Sequence, residues 1–231
     1  MTVEILRAIV EDDKTLLLRR TRTARPTSGA DETHLELVLG NVVLLSSAAL
    51  ETERHFGRLA QASIECMAEP CVVIGGLGFG ATLRGVLEVA SAHTKVIVVE
   101  KLRTVIDVAR SEARELVAGV LDDPRVELRL ADVADVITEA TPGSLAAILL
   151  DVDNGPAWAS FRTNARLYAD AAVARARTAL APGGVYAVWS GYPADPFLRT
   201  LRRAGFVPRV EPLRERGVVR ARAYIGSTLG P

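Results

Sequence analysis

The chain has 231 residues, 49% of them hydrophobic, enough to bury a substantial core as one domain with room for a small appendage. Its 28 basic residues balance 28 acidic ones, which argues against a nucleic-acid partner. No apolar run is long enough to span a membrane, and Met1 to Val10 carries acids where an export signal needs a basic start, so a soluble cytoplasmic protein is expected. Cys66 and Cys71 form no metal-spaced pair and are expected to be buried thiols; no metal is expected.

In chain order, Val3 to Val10 and Thr15 to Arg19 read as short strands joined at Asp12-Asp13, and the polar stretch Thr21 to Thr33, with Pro26 and Gly29, reads as a loop. Leu35 to Ser46 reads as a hairpin turning at Gly40-Asn41. Residues 1–50 thus form a small β unit, and residues 51–231 a larger domain. Phe56, Leu59, Ala60, Ile64 and Met67 recur at helical spacing between Glu51 and Ala68, and Pro70 closes that helix.

Beyond Pro70 strands and helices alternate. Strands are expected at Cys71 to Gly75, Lys95 to Glu100, Val126 to Leu130, Leu145 to Asp151, Gly184 to Ser190, Phe206 to Val210 and Val218 to Ile225. Helices are expected near Thr82 to Ala92, Leu102 to Val120, Val133 to Glu139, Asn164 to Leu180 and Pro196 to Ala204. This beat predicts an α/β, Rossmann-like fold with a mainly parallel sheet of about seven strands, covered on both faces.

Ligands of such sheets sit at the carboxyl ends of strands, where strand order reverses. The glycine run Gly75-Gly76-Leu77-Gly78-Phe79-Gly80 follows the first parallel strand, and Glu100 ends the next. Glycines let a ligand lie against main-chain N–H groups, and an acid about 20 residues on can accept hydrogen bonds from both ribose hydroxyls. Asp132 follows the third strand and Asp151 ends the fourth. Four successive strand ends carrying a candidate ligand group predict a nucleoside pocket. Asp132 can equally cap the helix beginning at Val133, and the two roles are compatible.

The segment Val72 to Gly184 resembles the catalytic domain of the polyamine aminopropyltransferases, the spermidine and spermine synthases, which share the class I S-adenosylmethionine methyltransferase fold. The resemblance rests on Val73-Ile74-Gly75-Gly76, Val98-Val99-Glu100, Asp123-Pro124-Arg125-Val126, Ala131-Asp132, Ile148-Leu149-Leu150-Asp151 and Leu180-Ala181-Pro182-Gly183-Gly184. It covers about half the chain, and the small N-terminal β unit suits the same family. It implies that Gly76, Gly78 and Gly80 cradle the cofactor, Glu100 holds the ribose hydroxyls and Asp132 meets the adenine amino group. It further implies that Asp151 positions and deprotonates an attacking amine, with Asp153 as a second acid. A homodimer is part of the same expectation.

Departures from the family pattern matter as much. Where the family places an aspartate to grip the amino group of decarboxylated S-adenosylmethionine, this chain has Gly78. Losing that acid removes an ammonium partner and a like-charge barrier, so intact S-adenosylmethionine becomes a serious candidate. Asn154 stands where the family has an acid for a diamine, and the family's Tyr-His pair is replaced around His55-Phe56. His55, Asn154 and Tyr168 are therefore candidate substrate contacts, and Trp158, Trp189 and Tyr192 are candidate pocket walls.

The resulting expectation is a spermidine-synthase-like transferase acting on a small amine or amino acid. A nucleophile attacks a carbon attached to a sulfonium, releasing methylthioadenosine by aminopropyl or aminocarboxypropyl transfer. Methyl transfer and cyclisation of the aminocarboxypropyl arm remain open, as do two readings outside the class. Gly76-x-Gly78-x-x-Ala81 with Glu100 also satisfies a dinucleotide fingerprint, which would suit an NAD-dependent oxidoreductase but leaves Asp132 and Asp151 unexplained. A non-catalytic nucleoside-binding protein is the other.

Overall fold

The computed structural model describes residues 2–11, 13–23, 32–48, 50–117, 119–152, 155–156 and 162–230, with Arg162 and Thr163 described by backbone alone. The N-terminal unit is a four-stranded antiparallel sheet in sequential order: β1 (Thr2–Glu11), β2 (Lys14–Thr23), β3 (Glu32–Leu39) and β4 (Val42–Ser46). Its period-two pattern turns Leu16 and Leu18 of β2 and Leu37 of β3 inward, where they join the core on one face of the larger sheet. The two units therefore share a continuous apolar core. The expected loop residues Pro26 and Gly29, and Asp12, lie outside the described residues.

The larger sheet has seven strands: β5 (Cys71–Gly75), β6 (Lys95–Glu100), β7 (Val126–Leu130), β8 (Leu145–Leu150), β9 (Leu180–Ser190), β10 (Val207–Glu215) and β11 (Val218–Ser227). Their spatial order is β10-β11-β9-β8-β5-β6-β7. The strands from β5 to β9 run parallel to one another, and β11 pairs antiparallel with both β9 and β10. From β5 the chain moves outward to β6 and β7, then returns to β8 on the other side of β5. The switch in strand order thus falls between β5 and β8. Continuous apolar runs such as Leu145–Leu150, buried at every position, belong to strands covered on both faces.

Helices α1 (Leu50–Arg58), α2 (Gln61–Glu65), α3 (Ala81–Val89), α4 (Arg103–Arg110), α5 (Arg114–Val117), α6 (Val133–Glu139), α7 (Asp170–Ala179) and α8 (Phe197–Arg203) complete the layers, with a 3-10 segment at Arg162–Tyr168. Three helices expected as single units are broken. The helix read from Glu51 to Ala68 splits after Arg58, where Leu59 and Ala60 close i−3 bonds to Phe56 and Gly57 in place of the α-helical pattern. The helix read from Leu102 to Val120 splits at Ser111, whose hydroxyl donates to the Asp107 carbonyl at 2.6 Å and bends the chain there. The helix read from Asn164 to Leu180 begins as the 3-10 segment, and Leu180 already belongs to β9.

Two glycines lock α1 onto α3. A Cβ on Gly85 would stand 2.0 Å from the Arg54 carbonyl oxygen, and one on Gly57 would stand 2.1 Å from that of Thr82. Only glycine allows backbones to cross that closely. The crossing brings the first turn of α3 beside the N-terminal half of α1, next to the end of β8.

The cysteines correct an expectation. Cys66 is exposed and Cys71 half-buried, because Cys66 ends α2 beyond its packed face. Burial pushes the Cys71 thiol up, against the pull of Lys95 and Arg129.

Candidate active site

The glycine run leaves β5 and folds across the end of β8. Gly76 has φ +93°, and a Cβ there would stand 2.1 Å from the Asp151 carbonyl oxygen, so the turn requires glycine twice over. Two backbone bonds fix it: the Gly76 amide donates to the Val99 carbonyl at 2.8 Å, and the Asp151 amide to the Gly75 carbonyl at 2.8 Å. The ends of β5, β6 and β8 are thereby tied together around one cavity.

That cavity is lined on the sheet side by Gly76, Gly78, Glu100, Asp132 and Asp151, and on the other side by residues of the N-terminal unit. Leu16, Leu37, Leu44 and Leu45 give an apolar wall, with Glu11 and Lys14 at its rim. A Cβ on Gly78 would face Leu45 at 3.7 Å, so the position where the resemblance leads one to look for an acid meets hydrocarbon. Gly80 does not line the cavity; it precedes α3 in the left-handed conformation and packs toward Val117.

Glu100 is buried, 8% exposed, at the end of β6. Its Oε2 accepts from the Leu77 amide at 2.9 Å and its Oε1 from the Leu102 amide at 2.9 Å. Burial raises its pKa, the amides pull back, and nearby Glu11 adds to the rise, leaving it above its ordinary value. Each oxygen keeps a lone pair beyond its amide, which a pair of vicinal hydroxyls could use.

Asp132 both caps a helix and faces the cavity. Its Oδ1 accepts from the Ala134 amide at 3.0 Å, and its Oδ2 meets Lys101 Nζ at 3.2 Å and Arg166 Nη2 at 2.5 Å. Burial alone would raise its pKa; the amide and the two cations hold it below the ordinary value. Glu11, at the end of β1, accepts the amides of Arg103 and Thr104 at 2.8 and 3.1 Å, so the small unit caps α4 across the cavity mouth.

Asp151 sits in a different setting. Its Oδ2 accepts from the Thr82 hydroxyl of α3 at 2.6 Å. Burial pushes its pKa up to about 6, and the Thr82 bond opposes the rise. Half-buried Glu53, on α1, is pushed well above the carboxylate range by burial and by the charges of Asp151 and Glu215. Arg54 and Arg58 of the same helix are engaged by Glu88 at 2.5 and 2.7 Å, so neither neutralises the pair.

The remaining candidates fall elsewhere. His55 Nε2 pairs with Glu211 Oε1 of β10 at 3.1 Å and does not line the cavity. Tyr168 is buried against Phe197 in an edge-to-face contact, with ring centroids 6.0 Å apart. Tyr192 is 48% exposed, while Trp189 is half-buried with an indole N–H that finds no partner among the described residues. Asp153, Asn154 and Trp158 lie outside the described residues. Sequence reasoning missed Thr82, Glu53, Glu11 and Asn164, which lines the cavity. Only Thr82 carried a local signal, as a polar residue in the first turn after the glycine run.

Among the described residues no group of three or more His, Cys, Asp or Glu side chains is placed to hold a metal ion, and no helix is long and apolar enough to cross a membrane. No protein-family model matches the chain. It is 33% identical over 165 residues to polyamine aminopropyltransferase 2 of Pseudomonas aeruginosa, covering 69% of this chain and 44% of the relative. To polyamine aminopropyltransferase of Aeropyrum pernix it is 33% identical over 119 residues, half of this chain and 35% of the relative. To spermine synthase of Arabidopsis thaliana it is 32% identical over 163 residues, 63% of this chain and 40% of the relative. The matched segment thus spans less than half the length of each of these relatives.

In structure, spermidine synthase from Thermotoga maritima superposes with a TM-score of 0.72 at 20% identity, over 98% of this chain and 73% of that one. A spermidine synthase in complex with the transition-state analogue AdoDATO superposes with a TM-score of 0.69 at 19% identity, over 96% of this chain and 72% of that one. In sequence the chain resembles the polyamine aminopropyltransferases, and in fold the spermidine synthases, on a class I methyltransferase-like sheet.

Proposed function

We propose that the cavity binds S-adenosylmethionine or its decarboxylated form as a co-substrate, and that the protein is a transferase directing an amine nucleophile onto a carbon attached to the sulfonium. The observation that carries this reading is the convergence of Glu100, Asp132 and Asp151 with Gly76 and Gly78 on one cavity at the strand-order switch. The likeness to aminopropyltransferases supports the reaction class. Glu100 would accept the two ribose hydroxyls on its free lone pairs. Asp132 would accept from the exocyclic amine of the base, and the leucines of the N-terminal unit would cover the hydrophobic faces.

Asp151 would supply the proton chemistry. An ammonium has no lone pair, so the acceptor nitrogen must lose a proton before it attacks. The nitrogen pair then forms the C–N bond, the C–S bond breaks, and its electrons return to sulfur, leaving neutral methylthioadenosine. A carboxylate whose pKa lies near 6 is a better proton acceptor at neutral pH than an ordinary aspartate. Rate would otherwise come from holding nitrogen, carbon and sulfur in line. Asp153 would be a second acid on the acceptor side, and a homodimer is the proposed assembly.

The hydrocarbon facing Gly78 bears on the choice of co-substrate, since neither form finds a carboxylate there for its amino group. Intact S-adenosylmethionine is thus as well accommodated as the decarboxylated form, and an aminocarboxypropyl product as well as an aminopropyl one. Incubating the protein with each sulfonium and a panel of amines, then identifying the released nucleoside by mass spectrometry, tests the reading. Methylthioadenosine supports it, S-adenosylhomocysteine would convert it to methyl transfer, and release of neither with any amine would end it.

A further inference from the structure

Asp151 must be satisfied both as a carboxylate and as a carboxylic acid if it is to take a proton and give it up. A buried acid with only a donor beside it resists protonation, and one with only an acceptor resists ionisation. Thr82 is buried, 2% exposed, in the first turn of α3. Its hydroxyl has two acceptors within reach: Asp151 Oδ2 at 2.6 Å and the Glu53 backbone carbonyl at 3.3 Å. The Gly57–Gly85 crossing of α1 and α3 places that carbonyl there, so the second acceptor is part of the helix packing.

We propose that Thr82 is the positioning residue of this site: its hydroxyl holds the Asp151 carboxylate in place and changes acceptor when Asp151 takes up a proton. With Asp151 ionised, Thr82 donates to Oδ2. Once the amine proton arrives on Oδ2, the new O–H donates to Thr82 Oγ1, and the threonine hydrogen turns to the Glu53 carbonyl. Every polar atom keeps a partner in both states, and the proton stays on Asp151. The inference rests on the reaction proposed above for its purpose, but its geometry does not depend on the co-substrate.

The charged groups around Asp151 make the switch matter. Glu53 faces it from α1, with Glu215 of β10 beyond, and Glu100 and Asp132 share the cavity. Lys101 and Arg166 are paired with Asp132. Thr82 is the hydrogen-bond donor to the Asp151 side chain among the described residues.

The test is a carbon-13 NMR titration of the Asp151 carboxyl, assigned by its loss in Asp151→Asn, in wild type, Thr82→Val and Thr82→Ser. Removing the hydroxyl in the isosteric valine should raise the Asp151 midpoint by about one pH unit, a tenfold shift in ionisation, and serine should restore it. Turnover of the valine variant should fall more at pH 6 than at pH 8.5, which a general loosening of the fold would not produce. Independently of any substitution, the wild-type Thr82 γ-methyl carbon should titrate with the Asp151 midpoint. An unmoved Asp151 midpoint in a folded valine variant, or a flat Thr82 signal in wild type, overturns the proposal. Failure of the adenosyl-sulfonium reading would look different: no nucleoside bound or released by wild type, with both titrations intact.

Discussion

The two ends of the cavity use the same side-chain chemistry in opposite ways. At the β6–β7 end, Glu100 takes two backbone amides and Asp132 takes an amide, a lysine and an arginine. At the β8 end, Asp151 has one hydroxyl, and the side chain facing it from α1 is another acid, Glu53, itself pushed well above the carboxylate range. Asp132, met by an amide and two cations, is held below its ordinary value, whereas burial leaves Glu100 above its own despite the amides; in both, the donors fix the carboxylate as an acceptor, as binding requires. Asp151, buried with one hydroxyl to hold its charge, is pushed toward taking a proton. Environment therefore divides the acids into a binding end and a proton-handling end.

The comparison is broken most sharply at Asp151. Asp151→Asn keeps an acceptor for Thr82 and removes the base, so release of thionucleoside should fall about a thousandfold with nucleoside affinity nearly unchanged, as single-turnover assays and calorimetry would show. Activity retained in that variant would remove Asp151 from the chemistry.

Next in size is the helix crossing that builds the proton-handling end. Gly85→Ala drives a methyl group into the Arg54 carbonyl, and denaturant unfolding should show a loss of about 3 kcal/mol as α1 is forced off α3. The binding end should prove weaker and more specific to affinity. Glu100→Ala removes the acceptor proposed for the ribose hydroxyls and should weaken nucleoside binding about 10- to 100-fold, with turnover at saturation much less affected. Equal losses in affinity and turnover would mean that the two ends are not separable.

The smallest effect has an unexpected sign. Asp151 has its pKa raised from an ordinary value near 3.8 to about 6, so the folded state binds the proton more tightly than the unfolded chain. Its stabilising protonation is fully present below the unfolded value and is lost as pH rises through about 6. At pH 7 the charge therefore destabilises the fold, and Asp151→Asn should be more stable than wild type by about 1–2 kcal/mol, a gap that closes toward pH 4. Melting curves at both pH values measure it. A stabilisation that persists at pH 4 would place its origin outside the Asp151 charge.

Much of the architecture was legible in the chain because the parallel strands are short apolar runs bounded by glycine, proline or a polar residue. Strands β5, β6 and β7 run over the residues expected, and β8 stops one residue short of the expected end at Asp151. Helix continuity was less legible. The apolar spacing runs unbroken through Leu59-Ala60 and through Ser111, and periodicity does not register a switch to i−3 bonding or a serine bonded to its own helix. Cys66 was misjudged for a related reason, since a residue type's usual burial does not say on which side of a helix end it falls.

Strand-end placement of Gly76, Glu100, Asp132 and Asp151 followed from local pattern alone, because a residue at or just past a strand's last position lies at the sheet's edge whatever packs around it. Which of these acids is held ionised and which is pushed toward a proton was decided by partners distant in sequence. Thr82 is 69 residues from Asp151, and Arg166 is 34 from Asp132. Glu11 reaches α4 across 92 residues, and Glu53 faces Asp151 only because Gly57 and Gly85 let two helices touch. A carboxylate's charge state depends on what surrounds it within a few ångströms, and those surroundings exist only once the chain has folded.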